Sequence, residues 1–525
     1  MAWSFLRGSD TREVAPDFID FAAPKLRGQL EKSCGRDLQL AWSGSADVSG
    51  EPVRAFYLWS ADLQARYPLG LLPIGQKRMT KWLLNQGRPQ HRFRDEEIIA
   101  FVRETAANPA RGIAETYLIT PEWQLRFPRA ESLLSWLRES FPEWRAVRKL
   151  REVELVAPSL LRAADGVNML AHFCYPSGLQ QGALAARTAL QAAGVAVSCR
   201  DVPTGVRTEL LPRGDWLGIE VFDISLIVMS PMPYSENCYE RAGLMRREGV
   251  YRIACWSWEL DTIPADWPSF EGLFDEIWTP TTFVADAMRR RYALPVFDMP
   301  HALESPQPDK VDRAEFGLRE GEFVFFFMFD LCSELERKNP LGLIRAFRRA
   351  FADTPEATLL IKTVRADLAP AAFAELERAA AGANVRIVNE LATRERALGM
   401  IAMCDCYVSL HRAEGFGLTL AEAMMLGKPV IATGYSGNLD FMNAENSRLV
   451  DYRLVLVERG GEIYQSGLWA EPSEKHAAAL MREVFSGREA AEKRAQRGRA
   501  EVTKQLAPAA IGQRMKARIE EIRRR

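Results

Sequence analysis

The stretch that decides the fold covers residues 406–440 and has the sequence CYVSLHRAEGFGLTLAEAMMLGKPVIATGYSGNLD. Its apolar run at 406–410 predicts a buried strand, and residues 430–432 predict another. Between them, a turn that contains Glu414 leads into a predicted helix at 419–426, which a glycine followed by a proline ends. The stretch therefore predicts a strand–turn–helix–strand unit of a parallel sheet.

The turn and the helix also carry chemistry. Backbone N–H groups at a helix N-terminus form a binding site for anions such as phosphate. Glu414 lies in the turn and Glu422 on the helix, and carboxylates accept hydrogen bonds from sugar hydroxyls. Amides that bind an anion, beside two acceptors for hydroxyls, are what a nucleotide-sugar requires. Taken alone, the two glutamates would be solvated charges on an ordinary βαβ unit.

The segment EGFGLTLAEAMMLGKPVIAT at 414–433 closely resembles the donor-site motif of the retaining family 4 (group 1) glycosyltransferases. The resemblance implies an α/β fold of the GT-B type, with two Rossmann-like doubly wound domains facing a cleft. It implies that Glu414 contacts the transferred sugar and that Glu422 contacts the nucleotide ribose. It also implies that backbone approaches the sugar and the diphosphate at Phe416, Gly417, Leu418 and Thr419.

Composition limits the other functions. The chain has 525 residues, which suggests two or three domains, and its net charge of −1 gives no reason to expect nucleic acid. The eight cysteines include no CxxC pair, and there is no histidine cluster, so neither zinc nor a disulfide framework is indicated. The start of the sequence lacks a signal-peptide pattern, and no apolar run reaches membrane-spanning length. We therefore expect a cytoplasmic protein with reduced thiols.

The first 160 residues differ from the rest and predict a mostly helical N-terminal domain. YLWSADLQARYP from Tyr57 recurs as YLITPEWQLRFP from Tyr117, and each copy precedes an apolar helical pattern that contains tryptophan. We predict two repeat units, at about 57–84 and 117–137, that pack together. A packing module is the simpler interpretation. The alternative is that the module binds the acceptor, a partner or a membrane surface. A basic face formed by Lys77, Arg78 and Lys81 would suit an anionic surface.

From residue 166, strands alternate with helices, which is typical of a doubly wound parallel sheet and predicts a first Rossmann-like domain at 166–305. Ligands of such sheets lie at the carboxyl ends of strands. That rule indicates Ser177, Gly178 and the nearby His172, which is as readily a structural histidine. The same rule indicates Trp258 and Glu259, and these resemble a Trp-Glu pair in a bacterial polysaccharide and lipopolysaccharide subgroup of the family. Where that family usually has a second glycine, this chain has Gln180.

A polar linker at 301–312 with two prolines precedes the second Rossmann-like domain, predicted at 313–505. The resemblance implies that Lys338 reaches the donor diphosphate, because the family carries a lysine there. Many relatives place an arginine that also reaches the diphosphate five residues earlier, where this chain has Ser333. That role is carried here to Arg337, which immediately precedes the lysine. The loop with Leu391 corresponds to the family's nucleobase loop. A last helix at 508–522, within a segment at 506–525, is expected to cross back onto the first domain.

These observations favour a retaining glycosyltransferase that moves a hexose from a nucleotide diphosphate sugar to a glycan or lipid-linked acceptor. As the family implies, neither a cofactor nor a metal is expected, and the sequence has no Asp-x-Asp motif near the site. Peripheral contact with the inner face of a membrane is a further expectation. A GT-B epimerase, a glycogen- or sucrose-type synthase and a donor-binding scaffold without turnover remain alternatives. The sequence does not distinguish GDP-, UDP- and dTDP-sugars.

Overall fold

The structure is a computed structural model. The residues that it describes are 50, 53, 54, 57, 61–88, 93–120, 123, 126, 127, 130–142, 144–150, 166–202, 222–232, 250–267, 269–461, 463, 464 and 466–524. Residues 1–49 and 151–160 of the predicted N-terminal domain lie outside them, as do parts of both repeats. The chain divides into two compact units. One comprises Met1–Leu184, Val195–Ile253 and Gly272–Phe274, and the other comprises Ala185–Gly194, Ala254–Glu271 and Asp275–Arg525.

The first Rossmann-like sheet has six strands in the order β2-β1-β3-β4-β5-β6. Its central strands are mostly apolar and largely buried, as expected of parallel strands that are covered on both faces. The order reverses between β1 and β3, which makes this place the switch point at which open α/β sheets bind ligands. The strands are β1 (Gly166–Ala171), β2 (Ala196–Asp201), β3 (Ile224–Met229), β4 (Tyr251–Trp256), β5 (Glu276–Thr279) and β6 (Val296–Asp298).

The second sheet has the order β12-β11-β10-β7-β8-β9, which is the strand order of a Rossmann domain. Its switch point lies between β7 and β10, the strands that precede Lys338 and Glu414 in the chain. The strands are β7 (Phe323–Met328), β8 (Ala357–Thr363), β9 (Val385–Asn389), β10 (Cys406–Ser409), β11 (Val430–Thr433) and β12 (Arg448–Val450). A separate antiparallel hairpin follows, formed by β13 (Tyr452–Leu456) and β14 (Leu468–Pro472).

Helices occupy the connections and the N-terminal region. In the described part of that region they are α1 (Ala61–Arg66), α2 (Pro73–Trp82), α3 (Asp95–Ala107), α4 (Pro109–Ile119), α5 (Ala130–Ser140) and α6 (Arg145–Lys149). In the described part of the first Rossmann-like domain they are α7 (Gly178–Ala192) and α8 (Thr282–Arg291). The remainder are α9 (Leu335–Lys338), α10 (Pro340–Phe351), α11 (Pro370–Ala380), α12 (Arg394–Met403), α13 (Leu418–Met425), α14 (Glu474–Ser486), α15 (Arg488–Gln505) and α16 (Pro508–Arg524).

The two N-terminal repeats resemble each other in sequence, and each also contains an equivalent tyrosine hydrogen bond. The hydroxyl of Tyr57 donates to the carbonyl of Tyr67 at 2.6 Å, and that of Tyr117 donates to the carbonyl of Phe127 at 3.0 Å. Each tyrosine thus closes a segment of the same length. Tyr57 belongs to one apolar cluster and Tyr117 to a second. The fully buried Arg54 donates to Glu115 at 2.5 Å, which links the residues just before the first repeat to those just before the second.

The C-terminal helix α16 begins at Pro508 and packs against α7 and β5. A Cβ atom on its Gly512 would lie only 1.9 Å from the carbonyl oxygen of Ala189 in α7, so the two backbones are in close contact. Arg518 forms a buried ion pair with Glu276 of β5. A buried guanidinium needs such a partner, because desolvating an unpaired charge is costly.

Candidate active site

The candidate site lies at the switch point of the second sheet, where the chain leaves β7 and β10. After β7, Glu334 and Asn339 adopt left-handed conformations with φ of 65° and 51°, and they bound the short helix α9. The side chain of Asn339 caps α10 by accepting from the Gly342 amide at 3.1 Å, and it donates to the Leu410 carbonyl at 2.9 Å. The segment after β7 is thereby joined to the end of β10.

Lys338 ends the short helix α9 and also precedes α10, which begins at Pro340 after Asn339 has turned the chain. The last turn of α9 therefore carries both cations, Arg337 and Lys338, which suits the negative end of a helix dipole. This arrangement arises because α9 has a residue with positive φ on either side, and the second of these separates it from α10.

Lys338 and Glu414 form a direct ion pair between the ammonium and Oε1 of the carboxylate. Both side chains are largely buried, with 18% and 13% of their surface exposed. Burial opposes the charge of Glu414, but the cations of Lys338 and Arg337 overcome it and hold the pKa of this carboxyl at about 2. Glu414 is therefore ionised at neutral pH. An ionised carboxylate accepts hydrogen bonds but cannot donate one.

Arg337 is buried beside carboxylates, a backbone carbonyl and an aromatic ring that stabilise its charge. Its Nη1 donates to the Ala413 carbonyl at 3.1 Å and lies 3.5 Å from Oε2 of Glu414. Its Nη2 lies 3.9 Å from Oε1 of Glu259, and the guanidinium carbon is 5.5 Å from the centre of the Tyr464 ring. These partners raise the pKa of Arg337 further above its ordinary value despite burial. Arg337 therefore organises the site, while Lys338 and Glu414 are the more accessible pair.

The backbone of Glu414 is held on both sides. Its N–H donates to Oγ of Ser436 at 2.8 Å, and its carbonyl accepts from the Gly437 amide at 2.9 Å. Gly415 follows directly, and a Cβ atom there would lie 2.6 Å from the backbone oxygen of Trp258. The turn thus requires glycine for close contact between backbones, and that contact brings Trp258 and Glu259 to the site.

The glycine turn leads into α13 as the sequence predicted, with Gly417 as the N-cap in a left-handed conformation at φ 89°. Phe416 is buried against the rings of His301 and Phe441, with centroids 4.9 and 5.3 Å away. Leu418 is the first residue of α13. The hydroxyl of Thr419 accepts from that of Tyr407 at 2.8 Å, which fixes its orientation at the first turn of the helix.

Glu422 lies on α13 and is buried, and one of its carboxylate oxygens is 2.8 Å from Nη2 of Arg394. Burial raises the pKa of Glu422, and the arginine acts in the opposite direction. No sequence pattern indicates Arg394, which is separated from Glu422 along the chain and belongs to no motif. If Glu422 accepts a hydrogen bond from a hydroxyl, it does so through its second carboxylate oxygen or after Arg394 has been displaced.

The other predicted residues of this domain lie around the switch point. Ser333 ends a single 3₁₀ turn that Asp330 caps by accepting from the Cys332 amide at 2.9 Å. Leu391 follows β9 and is 66% exposed, as a loop residue that would receive a ligand can be. Arg365, in a left-handed conformation with φ of 65°, pairs with Asp330. The sequence analysis did not identify that pair.

The residues predicted in the first Rossmann-like domain follow β1, at the switch point of that sheet. Ser177 caps α7 by accepting from the Gln180 amide at 3.2 Å, and Gly178 is exposed with open space where a Cβ atom would be. Gln180 is buried, and its side chain donates to the Phe173 carbonyl at 2.7 Å, so it packs against the loop between β1 and α7. The Nδ1 atom of His172 is 2.5 Å from the Val202 carbonyl, and burial lowers the pKa of this histidine. His172 is accordingly neutral and structurally held.

Residues 309–501 match the family model described as Glycosyl transferases group 1. The match covers nearly all of the second Rossmann-like domain and every residue of the site described there from Ser333 to Tyr464. No curated protein sequence matches the chain.

Solved structures similar to the chain include a sucrose-phosphate synthase from Thermosynechococcus elongatus, at 15% identity and a TM-score of 0.50, which covers 68% of this chain and 99% of its own. A glycosyltransferase from Rickettsia africae has 14% identity and a TM-score of 0.49, over 68% and 98% of the two chains. HepE from Anabaena, solved with UDP and glucose, has 14% identity and a TM-score of 0.46, over 68% and 99%. The likeness to the synthase concerns the fold alone, and the predicted GT-B fold class is confirmed.

Two further observations concern only the described residues. No group of three histidine, cysteine, aspartate or glutamate side chains there is arranged to hold a metal ion. None of the helices there combines the length and the hydropathy that crossing a bilayer requires.

Proposed function

We propose that the chain is a retaining glycosyltransferase that transfers a hexose from a nucleotide diphosphate sugar to a hydroxyl of a glycan or lipid-linked acceptor. The observation that carries the proposal is the Lys338–Glu414 ion pair at the switch point of the second sheet, one turn from the N-terminus of α13. This pair supports the proposal because a cation suits a diphosphate, a carboxylate accepts from sugar hydroxyls, and helix N-termini bind anions.

The charges suit the departure of a nucleoside diphosphate. As the bond between the sugar and the diphosphate breaks, negative charge grows on the diphosphate oxygen, and Lys338 stabilises that charge where it develops. Glu414 accepts hydrogen bonds from the hydroxyls of the hexose. Its low pKa keeps it an acceptor throughout the reaction. Glu422 would hold the ribose in the same way, through the carboxylate oxygen that does not face Arg394.

Retention requires a particular path for the acceptor. The acceptor hydroxyl attacks from the face that the diphosphate leaves, and its proton passes to a diphosphate oxygen while the new glycosidic bond forms. No protein nucleophile, cofactor or metal is needed in this scheme. We propose that the reaction takes place in the cytoplasm, with peripheral contact at the inner face of the membrane when the acceptor is lipid-linked.

The proposal is tested with the full chain and a panel of UDP-, GDP- and dTDP-hexoses, with and without glycan acceptors. The expected result is acceptor-dependent release of nucleoside diphosphate and a product whose anomeric configuration matches that of the donor. Interconversion of the sugar-nucleotide without acceptor would instead establish an epimerase. An inverted product would contradict retention, and binding without any turnover would establish a donor-binding scaffold.

A further inference from the structure

Tyr464 lies in the loop of the β13–β14 hairpin and is buried against the candidate site, with 4% of its surface exposed. Its hydroxyl donates to Oε2 of Glu259 at 3.0 Å, and its ring centre is 5.3 Å from that of Trp258. Trp258 is fixed in turn, because its Nε1 donates to the Thr262 carbonyl at 2.8 Å. Burial raises the pKa of Tyr464 well above its ordinary value, so the hydroxyl keeps the proton that it donates.

The hairpin is attached to the loop that carries Glu414. The Ala470 amide of β14 donates to the Arg412 carbonyl at 2.9 Å, and Arg412 Nε donates to Glu471 at 2.8 Å. The amide of Arg412 itself donates to the Arg337 carbonyl at 2.8 Å. Backbone hydrogen bonds therefore connect the hairpin to both segments that form the site, and the position of Tyr464 is coupled to that of Arg337.

Arg337 lies between two carboxylates. Oε1 of Glu259 is 3.9 Å from one guanidinium nitrogen, and Oε2 of Glu414 is 3.5 Å from the other. With Lys338, the site holds two cations and two anions, so it is neutral before a donor binds. The Arg337 side chain is only 5% exposed, so its ion pairs lie largely inside the protein. Glu259 is 22% exposed, and the mechanism above gives its charge no role.

We propose that Glu259 and Tyr464 are positioning residues of the donor site, an inference that rests on the function proposed above. Tyr464 orients the Glu259 carboxylate, Glu259 and the Ala413 carbonyl fix the Arg337 guanidinium, and Arg337 holds Glu414 toward the transferred hexose. The charge of Glu259 also offsets one of the cations beside the diphosphate. Nucleoside diphosphate consequently leaves more readily after transfer than it would from an uncompensated pair of cations.

The test uses variants that change one group without changing shape. Tyr464→Phe removes only the hydroxyl, and Glu259→Gln removes only the charge. A matched control is Tyr292→Phe, since Tyr292 is a buried tyrosine whose hydroxyl has no hydrogen-bond partner among the described residues. Turnover is measured with whichever of UDP-glucose, GDP-mannose and dTDP-glucose the unmodified chain uses fastest. Binding of the matching nucleoside diphosphate is measured by calorimetry.

We expect Glu259→Gln to lower kcat roughly tenfold while the nucleoside diphosphate binds roughly 3- to 10-fold more tightly, since one anion is lost beside the diphosphate. Tyr464→Phe should lower kcat roughly fivefold without a change in affinity, because ion pairing is retained. The double variant should equal Glu259→Gln alone, because the two residues act in series. Tyr292→Phe should match the unmodified chain in both measurements.

If Glu259 served packing alone, its substitution would not lower kcat while tightening the binding of nucleoside diphosphate. Unchanged kcat in both site variants would overturn this inference and leave the proposed function standing. A loss of affinity, turnover and melting temperature together, with additive effects in the double variant, would also overturn it. If the unmodified chain neither binds a nucleoside diphosphate nor turns over any of the three donors, the proposed function fails, and this inference fails with it.

Discussion

At the scale of single residues, the contacts of Glu414 show what a sequence motif can and cannot predict. Motif resemblance identified Glu414, Lys338 and Glu259, and the structure brings all three into one charged cluster. Tyr464 was missed because its contact with Glu259 joins residues 205 positions apart, and no local pattern encodes that pairing. Arg394 was missed for the same reason. Residue types at a site are predictable from a motif, whereas partners brought by tertiary folding are not.

The first prediction concerns Glu414→Ala. Loss of a charged acceptor for the sugar in the transition state should cost about 2–4 kcal/mol, which lowers kcat roughly 30- to 1,000-fold. The measurement is steady-state turnover, with the melting temperature recorded for each variant. A suitable control is Glu489→Ala, because Glu489 is 83% exposed and far from β7 and β10 in sequence. Normal turnover by a well-folded Glu414→Ala protein would exclude Glu414 from the site.

A second prediction concerns pH and His301, whose ring packs edge-on against Phe416. Burial lowers the pKa of His301 from 6.5 to about 4. Between these values the unfolded chain binds a proton that the folded chain does not, so stability falls as the pH drops from 6.5 to 4. His301→Gln should have a shallower decline over that window in urea denaturation. Identical slopes for the two proteins would show that His301 is protonated without cost in the folded state.

At the scale of elements, helix ends explain both a success and a failure of the sequence analysis. Gly427 at φ 70° ends α13, with Lys428 N–H bonded to the Ala423 carbonyl, which is the ending that a glycine at this position predicts. The one-turn helix α9 was not predicted, because its boundaries are left-handed Glu334 and Asn339. Neither residue type signals such a conformation as clearly as glycine does.

A third prediction concerns the turn before α13. In Gly415→Ala, the new Cβ would lie 2.6 Å from the backbone oxygen of Trp258, which cannot move independently of its own segment. We expect a loss of about 1–3 kcal/mol in the free energy of unfolding, together with reduced turnover. The matched control is Gly272→Ala, where a Cβ atom meets nothing within 4 Å. Equal stability of the two variants in denaturant titrations would contradict the close contact between backbones.

At the scale of the whole molecule, the alternation of strands and helices was predictable because buried parallel strands are continuous apolar runs. The strand orders of the two sheets were not, since order depends on how the connections cross. The orders place Ser177 and Gly178 at the switch point of one sheet and Lys338 and Glu414 at that of the other. The recurrence of the N-terminal sequence was visible from the sequence alone, because the two copies are similar in local pattern, and each copy has its own tyrosine hydrogen bond.

A fourth prediction addresses those repeats. Lys77, Arg78 and Lys81 lie on the exposed face of α2, whereas Met79 and Trp82 are buried in the first apolar cluster. Reversal of the three basic residues to glutamate should therefore leave the acceptor KM, the donor affinity and the melting temperature unchanged if the repeats are a packing module. The measurement is acceptor kinetics at saturating donor. A rise in the acceptor KM at constant melting temperature would instead show that this face binds the acceptor.

The donor site itself is tested most directly by calorimetric titration of the full chain with UDP, GDP and dTDP. One of the three should bind, and Lys338→Ala should weaken its affinity roughly tenfold, because a charge-assisted contact to the diphosphate is lost. Lys493→Ala, which changes a lysine that is 76% exposed, should leave the affinity unaltered. If no nucleoside diphosphate binds, or if Lys338→Ala binds it as tightly as the unmodified chain does, the donor site does not lie between β7 and β10.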